Sequence, residues 1–259
     1  DIKFNASKSK FLVIIPKGMH STYKNVESCL FSIGGQPLEC VHSYCHLGHI
    51  ITSKFNDTDD IFNRRIHFIG QVNSLLCFFN KMDLLVKIKL FKSFCSSLYG
   101  CELWSLSSDN VDSFCSAWRT ALRRLLSLPF NAHNFLLPFL SDSLPILFEI
   151  CKRSVRFILA CLGSHSHLIQ FVARHGVLFC KYRSIIGSNI LFCCKLFNWS
   201  LDDCVSGLID LSFDYFSRFY VNNLSDSELS SIFTFVELIY LHEGYFSFDN
   251  LNFSFSHTG

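Results

Sequence analysis

Two spacings of apolar residues divide the chain. Up to about residue 55 the apolar positions form short, β-type runs. Ile2 and Phe4 alternate, Asn5-Ala-Ser-Lys8 has turn chemistry, and Phe11–Ile15 is an apolar run that ends at Pro16. Phe31 and Ile33 lead into Gly34-Gly-Gln-Pro37, a hairpin-like turn, followed by Leu38–Val41. His46-Leu-Gly-His-Ile-Ile51 reads as one further strand, in which Gly48 allows a close approach to the backbone.

From Asn56 the spacing becomes helical. Asp57 or Thr58 caps a helix whose stripe is Ile61, Phe68, Val72, Leu75, Leu76 and Phe79. Asp83 opens a second, with Leu84, Ile88, Phe91, Phe94, Cys95 and Leu98 on one face. Ser108 or Asp109 opens a third, carrying Val111, Phe114, Cys115, Trp118, Leu122, Leu125 and Leu126 up to Pro129. Ser143 with Pro145 starts a fourth, through Ile150, Val155 and Ile158 to a Gly163 cap. Shorter helices follow, the clearest running from the capping box Ser225-Asp-Ser-Glu228 to Gly244. Strands ahead of helices predict an α+β fold, not a doubly wound sheet.

Composition narrows the class. Of 259 residues, 49% are hydrophobic and 17% charged, which is too apolar for a disordered chain. That length suits one domain with an appendage, or two small ones. The longest apolar runs fall far short of the ~20 residues that span a bilayer, and no basic n-region with an apolar h-region announces a secretory leader. The 13 cysteines have no repeating spacing and lie mostly within apolar helical patterns, so reduced, intracellular thiols are expected. The net charge of +2 conceals an asymmetry: residues 1–195 hold 22 Lys and Arg against 12 Asp and Glu, whereas residues 196–259 hold one against nine. A basic body suits a polyanionic partner, and an ordinary solvated surface competes with that reading.

The candidate chemistry lies in the cations. Arg119, Arg123 and Arg124 share one side of the third helix, Lys87, Lys89 and Lys92 mark the second, and Arg64 and Arg65 the first. Such faces can follow a phosphate backbone. Cys40, Cys45, His46 and His49 resemble a zinc set in composition, but adjacent residues of a strand point to opposite faces. Asp59-Asp60 and Asp202-Asp203 sit at helix starts, where carboxylates serve as caps. The residues by themselves outline no active site.

In order along the chain, several segments resemble reverse transcriptases of non-LTR, LINE-like retrotransposons. Phe4-Asn-Ala-Ser-Lys-Ser-Lys-Phe-Leu-Val-Ile14 is similar to the palm strand after the catalytic hairpin, and His46-Leu-Gly-His-Ile-Ile-Thr52 to the primer grip. Asp59-Asp-Ile-x-x-Arg64-Arg65, Gly70-Gln-x-Asn73, Lys89 to Trp104 and Ala117 to Pro129 resemble the thumb, with His133 and Leu136-Leu-Pro138 after it. The resemblance covers roughly residues 2–165. It implies the end of a palm over 1–55, a thumb-like domain over 56–140, and a helical region with an acidic end over 141–259. It further implies that Lys8 and Lys10 lie near the incoming nucleotide's phosphates, and that Leu47, Gly48 and His49 form the primer grip. Arg64, Arg65, Lys89, Arg119, Arg123 and Arg124 would follow an RNA/DNA hybrid of RNA template and DNA primer.

The family's Mg2+-binding carboxylates would precede Asp1, as would its fingers and the rest of its palm. This chain alone is therefore expected to bind no cofactor and to catalyse no polymerisation. The alternatives are a helical protein–protein interaction module, whose acidic end meets a basic partner, and a transposon-derived product without function.

Overall fold

The computed structural model describes residue 5, residues 8–15 and residues 31–243, with side chains through residue 235. Ile2, Phe4, Pro16 and Gly244 lie outside the described residues. Short strands come first and helices follow, so the fold is α+β. The chain forms two compact units, Asp1–His67 and Phe68–Gly259, and their division falls inside helix α1 (Thr58–Phe79).

In the first unit, β1 (Lys10–Phe11) pairs in parallel with β4 (Glu39–Cys40). Between them β2 (Ser32–Ile33) and β3 (Gln36–Pro37) make a small hairpin. Its Gly34 and Gly35 both have positive φ, as the tight turn requires. A second hairpin joins β5 (Ser43–His46) to β6 (His49–Thr52), with Ser43 opposite Thr52 and His46 opposite His49. This corrects the reading of His46–Ile51 as a single strand. The chain reverses at Leu47-Gly48, where φ is 49° and 77°. Leucine seldom takes a left-handed conformation, so the pair lacks the Asn-Gly look by which such turns are recognised.

The second unit is helical, and several of its helix starts are capped by local hydrogen bonds. Asp83 accepts the Leu85 amide at the head of α2 (Leu84–Leu90), and Ser108 accepts the Val111 amide at the head of α3 (Asp109–Leu125). Every apolar residue expected on the α3 stripe is buried. The α2 stripe departs at one place, because Phe94 is 65% exposed. The residues after α2, Phe91–Cys95, wind as a π-helical turn. A wider turn slips the register by about one residue, so Phe91 and Cys95 stay inside while Phe94 swings out.

Aromatic side chains tie these elements together. Phe68 stacks on Trp118 at 4.9 Å and 12°, Phe91 meets Trp118 edge-on at 5.0 Å, and Trp104 meets Phe114 at 5.3 Å.

Next come α4 (Leu136–Ser141) and α5 (Ile146–Leu162), the latter ending at Gly163 as its pattern suggested. Ile150, Cys151, Val155 and Ile158 on α5 are buried, and the helix packs against α6 (His167–Leu178) and α7 (Ile185–Phe197). Asn189 of α7 is buried among them. It accepts the Leu106 amide at 3.0 Å and donates to Trp104 O at 2.7 Å and Ser154 Oγ at 3.3 Å. Beyond the turn at Asn198 lie α8 (Leu201–Ser206), α9 (Phe213–Asn222) and α10 (Asp226–Glu243). Leu136, Phe139 and Ile232 bring α4 and α10 together over Tyr220 and Val221 of α9. The capping box is present: Ser225 N–H donates to Glu228 Oε2 at 2.8 Å, and the Glu228 amide returns to Ser225 Oγ at 3.4 Å. The Ser225 N–H and its hydroxyl, both donating to the carboxylate, hold Glu228 below its ordinary range.

Candidate nucleic-acid interface

The candidate residues fall into two groups, one in each unit. In the first unit the motif His46-Leu47-Gly48-His49 is the tip of the β5–β6 hairpin, and Leu47, 75% exposed, projects from it. The hairpin is braced from the first turns of α1. Asp60 is fully buried; its Oδ1 accepts the Ile50 amide at 2.9 Å, and its Oδ2 lies 3.1 Å from Nδ1 of His49. Arg64, one turn further on, donates from Nη2 to Gly48 O at 2.7 Å. One carboxylate oxygen of Asp60 and the Arg64 guanidinium thus bond the hairpin backbone at Ile50 and Gly48. Arg65 lies over the Phe62 ring at 5.6 Å, a cation–π arrangement on the same helix.

Asp60 was expected to serve as a helix cap beside Asp59. It does lie in the first turn of α1, but it also holds β6. Nothing in the sequence distinguishes a capping aspartate from one that reaches back ten residues to a strand. Replacing it by alanine removes the acceptor of a part-buried amide, which costs about 1 kcal/mol. The Ile50 amide in Asp60→Ala should lose its protection from hydrogen exchange while amides of α5 keep theirs. Unchanged protection at Ile50 would show that the brace does not hold the hairpin.

The two lysines before the hairpins differ. Lys10 is ion-paired with Glu39 across the parallel β1–β4 pair. Lys8 is exposed, with its amide closing a turn to Asn5 O at 3.2 Å.

In the second unit the helical cations are less available than their spacing suggested. Arg123 donates from Nε to Ala132 O at 2.9 Å and from Nη2 to Asn134 Oδ1 at 2.6 Å, so it ties down the loop after α3. Partial burial and the neighbouring Arg119 charge nudge its guanidinium below the ordinary value. Arg124 donates to Asn73 Oδ1 at 2.9 Å, linking α3 to α1. Arg119 bonds Ser116 Oγ within its own helix, at 2.8 Å, and is part-exposed. Lys92 pairs with Asp142 at 2.9 Å, whereas Lys89 is exposed. Lys8 in the first unit and Lys89 in the second therefore keep their ammonium groups for solvent or a ligand.

Cys45 and His46 are consecutive in β5, paired with Ile50 and His49 respectively, and His49 is turned to Asp60. Among the described residues no group of three or more His, Cys, Asp or Glu is placed to hold a metal. Asp203 belongs to the start of α8, where its amide donates to the Ser200 cap at 3.0 Å. Among the described residues no helix is long and apolar enough to cross a membrane. No protein-family model matches the chain, and no curated protein or solved structure matches it either.

Proposed function

We propose that the chain is a nucleic-acid-binding part of a reverse transcriptase of the non-LTR retrotransposon kind, one that grips an RNA/DNA hybrid without supplying catalytic carboxylates. The observation that carries this reading is the hairpin at His46–His49. A primer terminus needs a rigid backbone turn to rest on, and Asp60 and Arg64 hold this one from beneath while Leu47 is left outward. Lys8 in the same unit adds one phosphate contact; Lys89, Arg119 and Arg65 add others on their own surfaces. Lys10, Arg64, Arg123 and Arg124 act through the backbone and side chains they position. Intracellular location follows from the same reading.

Anisotropy titration of a labelled RNA/DNA hybrid tests it. With about four phosphates neutralised, affinity should fall roughly 100-fold between 50 and 200 mM salt. Lys8→Ala and Lys89→Ala should each lower the slope of log affinity against log salt by about one. Binding that ignores salt, or slopes untouched by both substitutions, would overturn the proposal.

One observation favours the second reading, a helical interaction module. Leu168, Phe171, Val172 and Phe179 are exposed on one face of α6, with Phe171, His175 and Phe179 stacked at 5.9 and 5.5 Å. Absence of any hybrid binding at low salt would leave this reading in place of the first.

A further inference from the structure

Four cysteines meet where α5, α7 and α8 converge. Cys193 and Cys194 are consecutive on α7, about 100° apart around the helix, so each faces a different neighbour. Cys193 is hydrogen-bonded to Cys151 of α5, and both are fully buried. Cys194 is half-buried, and its Sγ lies 3.4 Å from Sγ of Cys204 on α8. All the described cysteines are free thiols.

We infer that Cys194 and Cys204 form a thiol pair that a hydroperoxide converts into an intrachain disulfide, a modification site that locks α8 onto α7. This inference is independent of the nucleic-acid reading.

The turn between the two helices already holds the sulfurs in contact. The Trp199 amide donates to Cys194 O at 3.0 Å, the Cys204 amide to Ser200 O at 3.2 Å, and Trp199 Nε1 to Tyr215 OH at 2.6 Å. Asn198 supplies the left-handed residue that reverses the chain. Closing a bond from this starting distance needs sulfur shifts of about 0.7 Å each, within the reach of small side-chain rotations.

Exposure assigns different roles to the two thiols. Burial raises both, but Cys204 is fully buried and Cys194 is the one an oxidant reaches, so Cys194 is the nucleophile and Cys204 the resolving group. In the first step the Cys194 thiolate attacks the O–O bond of hydrogen peroxide. A sulfenic acid forms and one water leaves. Cys204 then attacks that sulfur, the S–S bond forms, and the sulfenic oxygen departs as a second water. Two thiols lose two electrons and two protons, and one peroxide becomes two waters. Cys151 and Cys193, the other two members of the cluster, are sealed from the oxidant by their burial.

The test treats the folded, full-length chain with hydrogen peroxide, blocks remaining thiols and maps the tryptic peptides. A bridge should join the peptide ending at Lys195 to the one ending at Arg218, with a mass loss of about 2 Da. It should survive in Cys193→Ala and vanish in Cys194→Ala. Its rate should rise about tenfold per pH unit while the pH stays below the thiol's range, because only the thiolate attacks. A bridge persisting in Cys194→Ala would overturn the inference. So would a Cys151–Cys193 bridge as the main product, or oxidation confined to the exposed Cys45 and Cys77.

Discussion

Gly187→Ala should destabilise the Phe68–Gly259 unit by about 3 kcal/mol, because the added methyl group meets backbone on every side. A Cβ at Gly187 would meet Gly176 O at 2.4 Å, Lys181 O at 2.6 Å and Lys181 Cα at 2.8 Å. All three are backbone atoms, so no side chain can rotate away. Relief would require α6 and the turn after it to move off α7, and that turn is fixed from the same side. Ser184 caps α7 by accepting the Gly187 amide at 2.9 Å and donates to Gly176 O at 2.9 Å. Gly70 offers the internal contrast. It lies in α1 with nothing within 4 Å of its would-be Cβ, so Gly70→Ala should stabilise by roughly 0.5–1 kcal/mol through helix propensity alone. Urea midpoints of the two variants, compared at equal m-value, check the pair. Equal tolerance of both substitutions would show that α6 and α7 do not cross this closely.

Asn189→Leu carries the second largest expectation. Leucine shares the branching of asparagine but is larger, so the change adds overpacking to the loss of three hydrogen bonds. Leu106 N–H loses its acceptor and Trp104 C=O loses a donor, both at buried residues. Removing the partner of a buried polar group costs about 1–3 kcal/mol, so the sum is about 3 kcal/mol once the weaker contact to Ser154 at 3.3 Å is included. Near-ultraviolet circular dichroism should lose the signal of Trp104, whose indole is held against Phe114 at 5.3 Å. A midpoint within 0.5 kcal/mol of the parent chain would mean that Asn189 is not the link between α7 and the segment before α3.

Both positions bear on the candidate interface in the second unit. The loop after α3 that Arg123 holds, and the α1–α3 link made by Arg124, sit on the same helical scaffold that Asn189 ties to α7. A chain weakened at Gly187 or Asn189 should therefore lose hybrid affinity together with its fold. Lys8→Ala and Lys89→Ala should change affinity and leave the unfolding midpoint where it was.

Much of the helical part was legible in the residues. The α3 stripe from Val111 to Leu126, the Ser108 and Asp83 caps, the Gly163 stop and the Ser225–Glu228 box all read correctly, because each depends on contacts within four or five residues. Less of the site was legible. The tight turn at Leu47-Gly48 hid behind a leucine that is held in a left-handed conformation by the hairpin and its brace. Phe94 fell on the expected stripe, and only the π-helical turn moved it out.

The chain's own chemistry thus determined the α+β order, the helix ends and the amphipathic faces, all of which are set by local hydrogen bonding and the periodicity of apolar residues. Tertiary structure decided which polar groups remain for a ligand. It buried Asp60 against β6, spent Arg64, Arg123 and Arg124 on backbone and amide oxygens, and brought the sulfurs of Cys194 and Cys204 into contact. A cation's position along a helix is written in its spacing. Whether its donors are free depends on distant chain segments, which no local pattern specifies.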